Sequence, residues 1–284
     1  MQICQTKAEF RGYLDEVRST GRIVGLVPTM GALHAGHRSL IEAAVQECDL
    51  VALTIFVNPL QFAPTEDLSK YPRPLELDLE LARAAGVGAV LIPSVDEMYP
   101  RPTATTVHVE GLTASMEGAA RPTHFDGVTT VVTKLFNIAG PCRAYFGEKD
   151  FQQLAVVRRM AADLDQPVEV VACPIIRETD GLALSSRNVY LSAEDRAAAT
   201  VLHRSLLATA ELIAQGERRA SAVAAHLSAL ITSEQRAALE YAEIVDPVTL
   251  EPLELLGAGT DVRLVVTARF GTTRLLDNLG VRTP

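Results

Sequence analysis

The fold is decided by residues 23–37, which read IVGLVPTMGALHAGH. The run 23–28 is short, apolar and bounded by turn residues, and this pattern predicts a buried β-strand. A turn containing Gly31 follows, and a helix is expected over residues 36–47. A buried strand that passes through a glycine-bearing turn into a helix is typical of the first half of a parallel βαβ unit.

The same alternation continues on both sides of this stretch. Thr6-Lys7-Ala8-Glu9 has the pattern of a capping box that opens a first helix. Further strands are predicted at residues 50–57, 89–92, 144–146 and 168–173, and further helices at 75–85, 128–139 and 151–163. The proline-rich segment 58–74 has no clean period and is interpreted as a functional loop. Alternating strands and helices predict an α/β fold with a Rossmann-like, doubly wound parallel sheet.

The pattern changes after about residue 174. One long Ala/Leu-rich helix is predicted from about Ala193 and a second at residues 220–232, followed by strands at 241–245, 262–268 and 274–278. Two helices followed by closely spaced strands favour a small α+β domain with an antiparallel sheet. We therefore expect a nucleotide-binding domain over residues 1–175 and a smaller C-terminal lid domain over residues 176–284.

The composition narrows the classes of function. A formal net charge of −9 argues against a dominant nucleic-acid role, because neutralising many phosphates requires clustered Lys and Arg. The first twenty residues carry several charges, and no uncharged apolar run approaches the ~18 residues of a membrane span. Four scattered cysteines are typical of small buried side chains in a reducing compartment. A cytoplasmic enzyme without a membrane or nucleic-acid partner is expected.

Two histidines mark the carboxyl edge of the predicted sheet. His34 and His37 lie three residues apart at the predicted start of a helix, where the helix dipole favours an anion. Gly36 between them is expected to let a phosphate approach the backbone. This arrangement suits nucleotidyl transfer, in which an enzyme chiefly stabilises charge on phosphates. The alternatives are capping or surface residues, or metal ligands, although no third ligand lies close in the sequence.

Two later segments favour the same chemistry. FGEKD, residues 146–150, follows a predicted strand, so that Lys149 is expected to hold a phosphate and Asp150 the ribose hydroxyls. DGLALSSRN, residues 180–188, offers two hydroxyls and a fork-shaped cation that suit a leaving pyrophosphate. Those groups belong to Ser185, Ser186 and Arg187. The alternatives are a helix cap with a solvated lysine and a polar loop between domains.

Six motifs stand in one order: PTMGALHxGH, FVNPxQF, YPRxLExD, RPxHFxGV, FGEKDxQQL and DGLAxSSRNxYL. Together they resemble the pantothenate synthetase (pantoate–β-alanine ligase) family of HxGH nucleotidyl transferases, over most of residues 23–191. The resemblance implies that pantoate attacks the α-phosphate of ATP to give pantoyl adenylate and pyrophosphate. β-Alanine then displaces AMP to form the amide. It also implies Mg²⁺ with ATP and a homodimer.

The resemblance further implies roles for individual residues. His34 and His37 would stabilise the phosphates, and the segment 185–187 would be a mobile clamp. Adenosine and phosphate would be held by Met30, Gly147, Lys149, Asp150 and Ile176. Gln61 and Gln153 would bind pantoate, Arg121 and His124 would lie on the β-alanine side, and Asp78 would support Mg²⁺.

The sequence departs from the family beside Asp78. Leu77 stands where some members have a second Asp, which weakens a protein-held metal site. Two other functions stay open, namely another HxGH nucleotidyl transferase and a non-catalytic nucleotide-binding sensor. The amides of Gln61 and Gln153, beside the apolar Phe62, favour a small hydroxy acid as the acceptor.

Overall fold

The computed structural model describes residues 1–62 and 68–284, so part of the predicted functional loop, residues 63–67, lies outside the described residues. The chain forms two compact units. Unit 1 comprises Met1–Glu148 and Gln152–Pro174, and unit 2 comprises Lys149–Phe151 and Ile175–Pro284. The assignment of a nucleotide-binding role to residues 1–175 and a lid role to residues 176–284 stays a prediction.

Unit 1 contains a parallel six-stranded sheet, which confirms the predicted doubly wound architecture. Its strands are β1 Gln2–Cys4, β2 Val24–Thr29, β3 Leu50–Ile55, β4 Ala89–Leu91, β5 Cys142–Gly147 and β6 Val168–Cys173. Their order in the sheet is β1-β4-β3-β2-β5-β6. β1 was not predicted from the sequence; it pairs with β4 at the edge of the sheet, with Gln2 opposite Ala89.

The first helix of this part of the chain begins at the predicted capping box, and six more α-helices follow among the described residues. They are α1 Lys7–Ser19, α2 Ala35–Glu47, α3 Leu75–Ala84, α4 Val95–Met98, α5 Met116–Ala120, α6 His124–Ala139 and α7 Phe151–Asp163. The Thr6 hydroxyl accepts the Glu9 N–H and caps α1, and the Glu9 carboxylate accepts the Thr6 N–H. The short helices α4 and α5 were not predicted, and α6 begins at His124, before the predicted residue 128.

The order of the strands fixes where loops can form a crevice. The chain runs from β2 through β3 to β4 on one side, whereas β5 and β6 lie on the other side of β2. Successive strands are therefore placed in opposite directions on the two sides of the boundary between β2 and β5. Such a switch point opens a crevice at the carboxyl ends of the strands. Buried Leu40 and Ile41 hold α2 in the core beside this point, and each contributes on the order of 1.5–3 kcal/mol through its burial.

Unit 2 contains three helices and an antiparallel three-stranded sheet, as predicted for an α+β arrangement. They are α8 Ala193–Ala198, α9 Val201–Ala214, α10 Ala220–Thr232, β7 Ala237–Val245, β8 Asp261–Phe270 and β9 Thr273–Arg282. The prediction of one long helix from Ala193 is wrong. The Thr200 N–H bonds to the Ala197 carbonyl, three residues back, so the chain tightens and the α-helical ladder is interrupted between α8 and α9.

A buried ion pair links β9 to Arg177, which lies in the segment of unit 2 that precedes α8. The Arg177 guanidinium donates to both carboxylate oxygens of Asp277, at 2.6 and 2.9 Å, and the Asp277 side chain is 1% exposed. The bidentate geometry compensates for part of the desolvation of the two charges. In the part of the chain that the structure describes, no helix is long and apolar enough to cross a membrane.

Candidate functional site

Residues 30–34, the histidine turn, join β2 to α2. His34 is the N-cap of α2, and its Nδ1 accepts a hydrogen bond from the Gly36 N–H at 3.1 Å. Nδ1 of His37 accepts from the His34 N–H at 3.3 Å, and the two ring centroids are 4.1 Å apart. The imidazoles thus satisfy two of the N–H groups that a helix start leaves without a partner in the helix, a role that Ser, Thr or Asp usually has.

These bonds assign the proton positions of both rings. A ring nitrogen that accepts an N–H must carry a lone pair, so the neutral imidazole has its proton on Nε2. His34 and His37 are therefore both oriented as Nε2–H donors at the positive end of the α2 dipole. Two such donors are suited to oxygens of a polyphosphate on which negative charge builds up.

Gly36 has a role within the protein that the sequence did not predict. A Cβ at this position would lie 2.9 Å from Cε1 and 3.0 Å from Nδ1 of the His34 ring. The absent side chain therefore makes room for the imidazole that caps the helix. The expectation that Gly36 lets a phosphate approach the backbone stays a prediction.

Asp78, the predicted support for Mg²⁺, is bound to the histidine turn. It is 2% exposed, and its two oxygens accept the Ala32 N–H at 2.9 Å and the Leu33 N–H at 2.7 Å. Among residues 1–62 and 68–284, no group of three or more His, Cys, Asp or Glu could hold a metal ion. Within the described residues Asp78 does not belong to such a group, and each of its carboxylate oxygens accepts a main-chain hydrogen bond. The role of Asp78 in supporting Mg²⁺ therefore stays a prediction.

The structure brings together residues predicted for adenosine, pantoate and β-alanine. The Gln61 Nε2 lies 2.7 Å from the Met30 Sδ. The main-chain oxygen of Gln61 accepts from the Arg121 Nη2 at 3.3 Å and lies 3.0 Å from the His124 Nδ1. Arg121 and His124 thus fix the backbone that carries Gln61, while their direct contact with β-alanine stays a prediction.

Asn58 was not singled out in the sequence, yet it orients the Gln61 amide. Its side chain is 1% exposed and donates to the Gln61 Oε1 at 3.2 Å and to the Gly127 carbonyl of α6 at 3.0 Å. Its own Oδ1 accepts from the Tyr99 hydroxyl at 2.8 Å. Burial raises the pKa of Tyr99 to about 12, so the hydroxyl keeps its proton and donates it. The Asn-Pro dipeptide directly after β3 was the available sequence signal, since it favours an ordered turn.

Gln153, the second predicted pantoate residue, is half-buried on α7. Its neighbour Gln152 is buried and has a structural role. The Gln152 Nε2 donates to the carbonyls of Leu112 and Ser115, at 2.8 and 3.0 Å, and its Oε1 accepts from the Glu117 N–H at 3.0 Å. Successive residues of a helix point about 100° apart, so the two glutamines face different surroundings. The substrate role of Gln153 stays a prediction.

Lys149 and Asp150 lie in unit 2. One residue, Glu148, separates them from Gly147, the last residue of β5. The Lys149 Nζ is 3.6 Å from a carboxylate oxygen of Asp150, so the two predicted ATP-binding residues form an ion pair. The Asn278 amide of β9 donates to the Lys149 carbonyl at 2.9 Å and fixes this turn. Their roles at phosphate and ribose stay predictions.

The predicted clamp also lies in unit 2. The Ser185 side chain accepts the Arg187 N–H at 3.2 Å and caps a short 3₁₀ helix, Ser186–Tyr190. The Leu184 N–H donates to the Ile176 carbonyl at 2.9 Å, so the predicted adenine neighbour and the clamp segment belong to one local structure. The clamp role itself stays a prediction.

Comparisons with known proteins agree over nearly the whole chain. The sequence model of the family described as pantoate-beta-alanine ligase matches residues 2–280. A pantothenate synthetase of Acetivibrio thermocellus is 49% identical over 279 residues, which cover 98% of this chain and 99% of that protein. One of Moorella thermoacetica is 52% identical over 279 residues and 98% of each chain.

Solved structures give the same result. The pantothenate synthetase of Thermus thermophilus matches with a TM-score of 0.92 and 51% identity, covering 98% of this chain and 99% of that one. A pantoate-beta-alanine ligase of Francisella tularensis, solved in complex with beta-gamma ATP and beta-alanine, matches with a TM-score of 0.79 and 30% identity. That match covers 98% of this chain and 97% of the other.

Proposed function

Because the chain belongs to the pantoate–β-alanine ligase family, we propose that it condenses pantoate with β-alanine, using ATP and passing through pantoyl adenylate. The observation that carries this proposal is the pair of Nε2–H donors, His34 and His37, at the switch point of the parallel sheet. Ligands of doubly wound sheets bind in that crevice, and phosphates bind at helix starts.

The first step requires charge stabilisation and no general base. A carboxylate oxygen of pantoate bonds to the α-phosphorus of ATP, and the bond from that phosphorus to the bridging oxygen breaks to release pyrophosphate. A carboxylic acid with a pKa near 4 is ionised at neutral pH, so the nucleophile needs no deprotonation. His34 and His37 therefore serve as hydrogen-bond donors to phosphate oxygens, and Lys149 and Arg187 add positive charge.

The second step forms the amide. The β-alanine nitrogen bonds to the acyl carbon, the carbon–oxygen bond to AMP breaks, and the nitrogen loses a proton. Gln61 and Gln153 position pantoate, because an amide can both donate to a carboxylate and bond a hydroxyl. The fixed backbone at Gln61 supports this role, since positioning has value only if the positioning group is itself held.

Three further points belong to the proposal. Mg²⁺ enters as part of the ATP substrate, because the described residues do not form a metal site of their own. The enzyme works in the cytoplasm as a homodimer, and its four free thiols suit a reducing compartment. Residues 176–284 act as a lid, with Ser185, Ser186 and Arg187 on the leaving pyrophosphate.

The test is the product set with ATP, Mg²⁺, pantoate and β-alanine. We expect AMP, pyrophosphate and pantothenate in equal amounts, and no AMP when pantoate is left out. His34→Ala and His37→Ala should each lower kcat roughly 10²–10³-fold, as expected for loss of one preorganised donor. Production of ADP and inorganic phosphate would instead mean that the acid is activated as an acyl phosphate, and the proposed mechanism would be wrong.

A further inference from the structure

We infer that Asp78 is a positioning residue for the histidine pair and not a metal ligand. The inference rests on the proposed function for its kinetic consequences and on the described geometry for its cause. The Asp78 carboxylate is bound to the two residues directly before His34, with Oδ2 at 2.9 Å from the Ala32 nitrogen and Oδ1 at 2.7 Å from the Leu33 nitrogen.

The turn that these bonds hold has an unusual backbone conformation. Gly31 has φ +80° and Ala32 has φ +51°, so two successive residues lie in the left-handed region. Glycine adopts this region freely, whereas an alanine is strained there and persists only when its surroundings hold it. A Cβ on Gly31 would also lie 2.9 Å from the Asp78 Oδ2, so the glycine is needed for the carboxylate to approach.

Successive N–H groups that point to one side of a turn form an anion-binding concavity. In many phosphate sites that concavity holds the ligand. Here the N–H groups of Ala32 and Leu33 bind the carboxylate of Asp78. The anion position of the turn is therefore occupied by the protein itself, so a phosphate that binds at this turn would bind at the start of α2.

Asp78 is itself held firmly. It lies in the first turn of α3, where the helix dipole stabilises a negative charge, and its own N–H bonds to the Pro74 carbonyl at 3.0 Å. At the end of β2, the Thr29 hydroxyl accepts the Gly31 N–H at 3.2 Å. The turn is thus fixed from β2 and from α3, and its last residue is bonded to the N-cap His34.

A metal ligand and a positioning residue make different predictions for Asp78→Asn. An amide offers one acceptor and turns two donors towards an N–H group, so one of the two bonds is lost. We expect kcat to fall about 10–100-fold, less than the 10²–10³-fold loss of a donor itself, with KM for ATP nearly unchanged. The Mg²⁺ concentration for half-maximal rate should stay within about twofold of wild type, because binding of Mg²⁺ by ATP phosphates does not involve Asp78.

A spectroscopic measurement reads the same geometry without the reaction. Long-range ¹H–¹⁵N correlations report which nitrogen of each of the six histidine rings carries the proton. In wild type, His34 and His37 should show protonated Nε2 and acceptor Nδ1. In Asp78→Asn their signals should move or broaden, while those of His108, His203 and His226 stay in place.

Two further variants complete the test. Ala32→Val leaves the carboxylate intact but places a β-branched residue at φ +51°. It therefore strains the same turn at the residue that donates the hydrogen bond, and not at the carboxylate that accepts it. It should lower kcat and shift the same two histidine signals. Glu76→Gln, exposed in the same first turn of α3, is the matched control and should behave as wild type.

The outcomes separate the alternatives. Activity of Asp78→Asn that is restored by excess Mg²⁺ would overturn the inference in favour of a metal ligand, and wild-type kcat with unmoved histidine signals would overturn it outright. If Asp78→Asn does not fold, Ala32→Val decides: wild-type kcat and signals there count against the inference. If wild-type protein makes no AMP, the proposed function fails, while the histidine signals still test the geometry.

Discussion

Gly36→Ala should separate catalysis from stability. The new Cβ would lie 2.9 Å from Cε1 and 3.0 Å from Nδ1 of His34, closer than carbon atoms normally approach, so the His34 ring must move. Its movement breaks the 3.1 Å bond from the Gly36 N–H, which contributes about 0.5–1.5 kcal/mol to stability. Alanine is about 1 kcal/mol more favourable than glycine in a helix, so the two effects nearly cancel.

In contrast to the stability, the catalytic rate of Gly36→Ala should fall. A displaced His34 no longer presents its Nε2–H to the phosphate, and we expect kcat to fall about 10²-fold, towards the loss of a whole donor. The assay is steady-state AMP production at saturating substrates, together with thermal unfolding. The melting temperature should change by no more than about 2–4 °C, which corresponds to about 1 kcal/mol in a protein of this size class.

Gly12→Ala is the matched control for the same substitution. Gly12 lies in α1, and nothing is within 4 Å of the position of its Cβ. The change should raise stability by about 0.5–1 kcal/mol and leave kcat as in wild type. If Gly36→Ala retained kcat within twofold, the His34 ring would not need its present position, and the argument that the helix cap orients a phosphate donor would be refuted.

Three further predictions concern other parts of the chain. Gln61→Ala and Gln153→Ala should raise KM for pantoate while the affinity for ATP stays nearly unchanged; equal losses of both would make them general supports of the pocket. Arg187→Ala should slow adenylate formation and, when β-alanine is scarce, raise the hydrolysed fraction of adenylate in a single turnover; an unchanged fraction would contradict the lid role. Asp277→Ala should lower the free energy of unfolding by about 3–5 kcal/mol, measured with denaturant, because it leaves Arg177 without its buried partner.

The sequence predicted elements whose determinants are local. The capping box at Thr6 and Glu9 lies within four residues, and the start of α1 was found correctly. β1 was missed because only the last of its three residues is buried, which leaves no period that a window could detect. The break between α8 and α9 was missed because neither Ala199 nor Thr200 is a helix breaker of the Gly or Pro kind.

The site was predicted as a set of residues and not as a set of contacts. His34, His37 and Gln61 were identified from motifs, but the carboxylate that binds the turn and the carbonyl that fixes Asn58, which orients the Gln61 amide, come from distant parts of the chain. Asp78 is 46 residues from Ala32, and Gly127 is 69 residues from Asn58. Only the folded chain brings such pairs together. Asp78 was predicted as a metal support from the family resemblance, and its bonds to the main-chain N–H groups of Ala32 and Leu33 became visible only in the structure.

The formation of pantoyl adenylate is tested most directly by following an oxygen atom from pantoate to AMP. Pantoate carrying oxygen-18 in its carboxylate is incubated with ATP, Mg²⁺, β-alanine and the wild-type protein, and the products are analysed by mass spectrometry. If the carboxylate attacks the α-phosphorus and the acyl carbon–oxygen bond then breaks, one labelled oxygen must appear in AMP. Label in inorganic phosphate with unlabelled AMP, or AMP formed without label, would contradict attack of the pantoate carboxylate on the α-phosphorus.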